Sequence, residues 1–368
     1  AGRSYAGATG PAAMTRERIE QAAWTVGLIG LVVTVIGWIV TPRLFPHAWL
    51  AALACWIGWP LGSMALLLIH SISGGRWGYA IRPQLMIGVM SLPLAVLAVL
   101  PLIPELHALY PWARSEVAQG LGNTAYLNVP FVCGRGVLYL ALWLLLGALI
   151  LRALRRPAPD PALYRLAPFG LIMLMLTATF AGYDATLSLD PHFNSSIYGM
   201  IMAGEAVLLA LSVATFFALL VSDPGPRATA DLGKLLLGLL VLWGYFVFMQ
   251  LLIVWNSDLA IDAPWYVARS QRGWGIVAYI TFAAHFAVPF LLLIWPQVQA
   301  SRRGMLIVSF LLTAGEVPRA WWLVIPAAGR SLSWLDCCAM IGMIGVAVGL
   351  ALRIPRLSFT HAWVHQHG

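Results

Sequence analysis

The sequence predicts an all-α polytopic membrane protein with about ten transmembrane helices, and three observations predict it. Of 368 residues, 61% are hydrophobic and only 10% charged, where a soluble domain carries roughly a quarter charged residues. The mean hydropathy is +0.83, an imbalance too large to hide inside a globule of this size. Apolar runs of membrane length recur along the whole chain, and 17 tryptophans accompany them. Indole suits the membrane interface, where an apolar ring and a polar N–H are both satisfied.

A hydrocarbon core about 30 Å thick needs roughly 20 apolar residues in a helix. Runs of that kind, bounded by charge, Pro or Gly, lie at about 22–40, 50–70, 85–103, 131–151, 166–183, 197–221, 235–255, 274–295, 305–324 and 334–352. They divide the chain into a short N-terminal segment, 1–21, a membrane domain, 22–352, and a tail, 353–368. Residues 1–21 lack the basic, apolar, small-residue order of a cleaved signal peptide.

Orientation follows from the retention of Lys and Arg in the cytoplasm. Alternate loops place fifteen of the 22 basic residues on one side, five on the other, and Arg135 and Arg319 inside spans. Both termini are therefore expected on the cytoplasmic side. The longest loop, 104–130, is too short for a folded extramembrane domain. Small-residue spacings such as Gly345 with Gly349, and Gly199 with Ala203, read as devices for close helix packing.

Several function classes are excluded. The net charge of +8 is scattered over short loops and forms no basic patch, which speaks against nucleic-acid binding. Cys55, Cys133, Cys337 and Cys338 form no CxxC or CxxCH, so zinc ribbons, iron–sulfur clusters and covalent haem are disfavoured. Only His70 and His285 lie within spans, at depths too different to ligate one haem between them. Gly120, Gly122 and Ala125 match a dinucleotide fingerprint in spacing but lie in a loop between spans, without the required strand.

The informative residues are the ionisable ones at membrane depth. A charge at the bilayer centre costs roughly 2.5–3.5 kcal/mol even on the lenient insertion scale, so each needs a partner, a water cavity or a function. Arg135 opens the fourth span and Asp184 closes the fifth at the same face. Glu316 and Arg319 are three apart in the ninth span, on one helical face, and read as a structural ion pair. Glu205 and His285 lie deeper with no basic residue obviously at their level, and with Glu316 they form a candidate proton path. Asp184, His192 and Arg135 lie near the outer face, and the family resemblance that follows makes them candidate quinone contacts. The bland alternative is that Asp184 and Arg135 fix a helix end and Glu205 is hydrogen-bonded and silent.

Residues 183–199 read Tyr-Asp-Ala-Thr-Leu-Ser-Leu-Asp-Pro-His-Phe-Asn-Ser-Ser-Ile-Tyr-Gly. This stretch resembles the signature of the F subunit of bacterial alternative complex III, in the polysulfide-reductase (NrfD-like) membrane-subunit superfamily. Further similar segments follow in the family's order: Tyr126-Leu127-Asn128-Val129-Pro130-Phe131 running on to Arg135 and Tyr139, and Leu242-Trp243-Gly244-Tyr245 with Gln250 and Trp255. The others are Gly273-Trp274 with His285-Phe286-Ala287-Val288-Pro289-Phe290, and the shorter Gly74-Gly75-Arg76-Trp77. The chain departs from the pattern at Ala185 and Phe193, where the family has tryptophan, and in its short tail.

The resemblance implies two four-helix bundles, about 50–183 and 197–324, with the first and last spans peripheral. It also implies a membrane subunit of a quinol:cytochrome c, or other acceptor, oxidoreductase, without a redox centre of its own. Haem c and iron–sulfur groups would belong to partner subunits, alongside a related ten-span subunit and, in some assemblies, a terminal oxidase. This subunit would support quinol oxidation, proton conduction or both. The competing expectations are a secondary transporter, for which inverted repeats with paired broken helices are wanting, and a purely structural scaffold.

Overall fold

The computed structural model describes residues 11–118, 120–154, 161–256 and 262–358. Part of the N-terminal segment, Arg155 and Arg156, and the tail from residue 359 lie outside the described residues. The described chain is all-α, with no strand, and its long helices follow one another in sequence order. These are α1 (Pro11–Val40), α2 (Phe45–Ser73), α3 (Arg76–Ser91, continued by Leu94–Leu102), α4 (Val129–Leu154) and α5 (Pro161–Ala185). There follow α6 (Tyr198–Val221), α7 (Gly225–Asn256), α8 (Trp274–Leu293), α9 (Arg302–Val324) and α10 (Trp334–Ser358). Nine described helices are individually long and apolar enough to cross a membrane, and α3 makes a tenth if its two halves, bent by 45°, count as one span. The chain is a multi-pass membrane protein.

Most of the helices are longer than the apolar runs that betray them, α6 and α8 excepted. α7 begins at Gly225, ten residues before the expected start, and takes Asp231 and Lys234 into its first turns. Its 32 residues reach about 48 Å at 1.5 Å per residue, well beyond the hydrocarbon core. Hydropathy reports the part of a helix in contact with lipid; backbone hydrogen bonding carries the helix on into the interface. The third span departs most from expectation. It starts at Arg76 instead of 85 and breaks before Leu94, where Pro93 has no amide with which to continue the ladder.

α2 and α6 form the centre. In α2 78% of the apolar window is buried and in α6 61%, against 22% in α1, α5, α7 and α8. They lie directly on each other, because Gly58 and Gly62 of α2 face Ala206 and Leu209 of α6. A Cβ at Gly62 would run into the carbonyl of Ala206. Around this axis α2 also packs on α3, α5, α9 and α10, and α6 on α5, α7 and α9. α1 is held chiefly by α10, through Gly27 and Gly30 against Gly342 and Gly345. Gly349 packs on the Trp24 ring, and Gly199 on Thr179 of α5.

The long connection after α3 folds back over the bundle end. Tyr110 and Trp112 are buried and stacked, and the Tyr110 hydroxyl donates to the carbonyl of Ala185 at the end of α5 (3.0 Å). At the other departure from the family pattern, Phe193 stacks on Trp265 with ring centroids 4.6 Å apart.

Candidate functional site

Depth can be counted from helix ends. α6 and α8 start, and α9 finishes, on the same side of the bundle. Glu205 is seven residues into α6, so about 10 Å from that end at 1.5 Å per residue; Glu316 is eight residues from the end of α9, about 12 Å, and His285 eleven residues into α8, about 16 Å. Three helices thus bring three titratable side chains to one level.

They meet. His285 Nε2 lies 3.0 Å from Glu205 Oε1. Arg319 donates from Nε to Glu316 Oε2 at 2.7 Å and from Nη2 to Glu316 Oε1 at 2.6 Å, and its Nε also stands 3.3 Å from Glu205 Oε2. One ligand-type atom each from Glu205, His285 and Glu316 lie within 4.8 Å of one another. All four residues are buried, His285 completely. Arg319 therefore joins two carboxylates, whereas the sequence paired it with Glu316 alone and left Glu205 without a basic neighbour. The depth count shows why that reading falls short: Arg319 is five residues from the end of α9, within about a turn of Glu205's level.

Local structure aims each group. Residues Phe282–Ala287 form a π-turn within α8, a widened turn that places His285 on the face toward α6 and α9 and is frequent at functional sites. Gly315 lets α9 close on the imidazole, since a Cβ there would stand 2.8 Å from both Cβ and Nδ1 of His285. The Trp243 ring of α7 closes the other side, edge-on, with centroids 5.0 Å apart. Neither Gly315 nor the π-turn was anticipated from the sequence; Pro289, which withholds an amide from the carbonyl of His285, is the one local signal.

The charge balance states what the cluster can do. Two carboxylates, one guanidinium and a neutral imidazole sum to one negative charge. In a water-poor interior that charge is costly, and one proton, placed on a carboxylate or on the imidazole, cancels it. Groups coupled this closely share the proton as a unit. The same donor set has the composition of a divalent-metal site, but Arg319 already engages both oxygens of Glu316 and faces Glu205. A metal ion would have to displace a fixed cation, so the arrangement suits a proton better.

The residues expected near the outer face form a separate unit. Arg135 of α4 grips Asp184 of α5 in a two-pronged pair, Nε to Oδ2 at 3.0 Å and Nη2 to Oδ1 at 2.8 Å, and Tyr139 adds a hydroxyl at 3.2 Å. The guanidinium also lies over the Tyr126 and Phe131 rings, 3.8 and 4.3 Å from their centroids. Burial and the nearby Asp184 carboxylate push the Tyr126 phenol well above its ordinary range. His192 is exposed, and its backbone bonds locally to Asp190 and Asn194. Among the described residues no hydrogen bond or ion pair joins His192 to the Arg135–Asp184 pair.

No protein-family model matches the chain, and no curated protein matches it. The assignment of function therefore rests on the cluster and on the resemblance in sequence.

One further buried cation was read from sequence as an ordinary loop charge. Arg269, just after the short helix Ala263–Ala268, is 3% exposed. It donates to the carbonyls of Trp265 (3.1 Å) and Leu323 (2.7 Å) and lies over the Trp265 ring, bracing the connection onto the end of α9. Burial pulls its pKa down to about 10. Flanking tryptophans at 265 and 322 were the available signal, since guanidinium stacks readily on indole.

Proposed function

We propose that this chain is a membrane subunit of a quinol:acceptor oxidoreductase of the alternative complex III type, and that its own contribution is proton handling at the Glu205–His285–Glu316–Arg319 cluster. The observation that carries the reading is a buried group of two carboxylates and an imidazole around one fixed cation. Structural ion pairing needs one carboxylate per guanidinium; the second carboxylate, hydrogen-bonded to histidine, gives the cluster a place for an exchangeable proton. The basic loops would face the cytoplasm, putting the Arg135–Asp184 latch at the outer face. Both carboxylate oxygens of Asp184 are engaged there, so the latch ties α4 to α5 while quinol oxidation, haem c and iron–sulfur chemistry belong to partner subunits.

Affinity purification of the chain from native membranes, with the quinol oxidation rate and protons released per quinol measured on the intact assembly, tests this. Glu205→Gln keeps shape and hydrogen bonding and removes titration. The reading expects partners to copurify and proton release to fall in the variant. Retention of both rate and stoichiometry, or a monodisperse chain active alone, would overturn it.

A further inference from the structure

Two buried polar atoms beside the cluster lack a partner, and they complement each other. The first is Nδ1 of His285, whose Nε2 is taken up by Glu205. The second is the indole Nε1 of Trp243, a residue 6% exposed whose ring is the edge-on neighbour of the imidazole, 5.0 Å between centroids and 78° between planes. An indole nitrogen only donates; the nitrogen of a neutral imidazole opposite its N–H only accepts. With Nε2–H directed at the Glu205 carboxylate, Nδ1 is the acceptor.

Buried donors and acceptors in native proteins are satisfied by protein or by ordered water. We propose that one buried water bridges Trp243 Nε1 and His285 Nδ1, accepting from the indole and donating to the imidazole, and that Trp243 is thereby a positioning residue that, together with Glu205 on the opposite nitrogen, favours the Nε2–H tautomer of His285. Other groups around the ring leave this role open. Gly315, on the α9 side, carries no side chain, Thr281 one turn earlier spends its hydroxyl on the carbonyl of Val277 (2.8 Å), and Glu205 and Arg319 lie on the Nε2 side. Phe286, next along the π-turn, is seated against Gly244 of α7. The Trp243–Gly244 pair thus holds the π-turn through both the indole N–H and a ring contact. Tautomer control matters because the nitrogen facing Glu205 decides whether histidine gives the carboxylate a hydrogen bond or competes with it for a proton. The value of that control to the protein rests on the proton-handling reading; the water and the tautomer do not.

The test is nitrogen-15 NMR of the full chain in lipid, labelled at histidine and tryptophan, with the His285 signals assigned by their loss in His285→Gln. The expected spectrum has His285 protonated at Nε2 and a magnetisation-transfer peak between water and the Trp243 indole N–H. Trp243→Phe, which keeps an aromatic ring and removes the donor, shifts the His285 Nδ1 resonance and populates the other tautomer. An unchanged His285 spectrum in that variant overturns the proposal. So does the absence of the water-to-indole peak in the unsubstituted protein, a measurement that stands even if the variant does not fold. Loss of proton release in Glu205→Gln bears on the function alone, so failure of either idea is recognisable separately.

Discussion

Replacing Arg319 by methionine removes the cation that two buried carboxylates share. The guanidinium makes two hydrogen bonds of 2.7 and 2.6 Å to Glu316 and stands 3.3 Å from Glu205, with 7% of its surface exposed. Methionine fills a similar volume, so the loss is electrostatic and not one of packing. Breaking a buried ion pair from one side costs about 3–5 kcal/mol, because the partner charge is left uncompensated. Glu316→Gln removes the bidentate partner and leaves Arg319 balanced by Glu205, so its cost is that of weakened hydrogen bonds, about 1–3 kcal/mol. In the double variant Arg319→Met with Glu316→Gln, the stranded charge at 316 is gone, and Glu205 retains His285. The two losses therefore combine to less than their sum, with a coupling energy of about 1–3 kcal/mol, in the range for residues in direct contact. Reversible unfolding in mixed micelles, followed by tryptophan fluorescence and circular dichroism, measures all four proteins. Additive losses, or an Arg319→Met protein within about 1 kcal/mol of the parent against that 3–5 kcal/mol scale, would refute the shared-cation geometry.

Gly315→Ala places a Cβ 2.8 Å from both Cβ and Nδ1 of His285; overpacking at about 1–3 kcal/mol is expected, with His285 displaced from Glu205, and unfolding at parental stability would show that the two helices do not approach so closely. In the short helix Ala263–Ala268, burial lifts the Tyr266 phenol from 10.0 to about 12. The folded state then holds this proton more tightly than the unfolded state, so the contribution is complete below the unfolded value and declines as pH rises from about 10 through 12. Ultraviolet titration should find several tyrosines ionising late in the folded protein, and Tyr266→Phe should remove one of them together with its share of the alkaline loss of stability.

Much of the fold is legible in the sequence because hydropathy and helix length are direct physical requirements of the bilayer. Every expected span overlaps an observed helix; most expected ends fall short, as where α2 begins at Phe45 and α7 at Gly225, since polar residues in the interface remain helical, whereas those at 103, 197 and 295 overrun by one or two residues. The break at Pro93 was present as a residue but not as a boundary, the run from 85 to 103 being apolar throughout. In the site, Glu316 with Arg319 follows from spacing on one helix. The contact from Arg319 to Glu205 and that from His285 to Glu205 are between helices, and such contacts become visible only when depth is counted from both ends of antiparallel spans. The π-turn, the closeness of Gly315 and the burial of Arg269 depend on packing, for which a single sequence holds no periodic signature.

On the proton-handling reading, the four buried residues hold one exchangeable proton among two carboxylates and an imidazole. Infrared difference spectroscopy of the lipid-reconstituted chain, in H₂O and D₂O, reads this directly through the stretch of a protonated, deuterium-sensitive carboxyl group. One such band is expected at neutral pH beside a neutral His285, with the cluster taking up or losing a single proton as pH is stepped and a changed signal in both Glu205→Gln and Glu316→Gln. A cluster whose carboxylates stay ionised beside a neutral histidine at every accessible pH, with neither substitution altering the spectrum in this region, would contradict it.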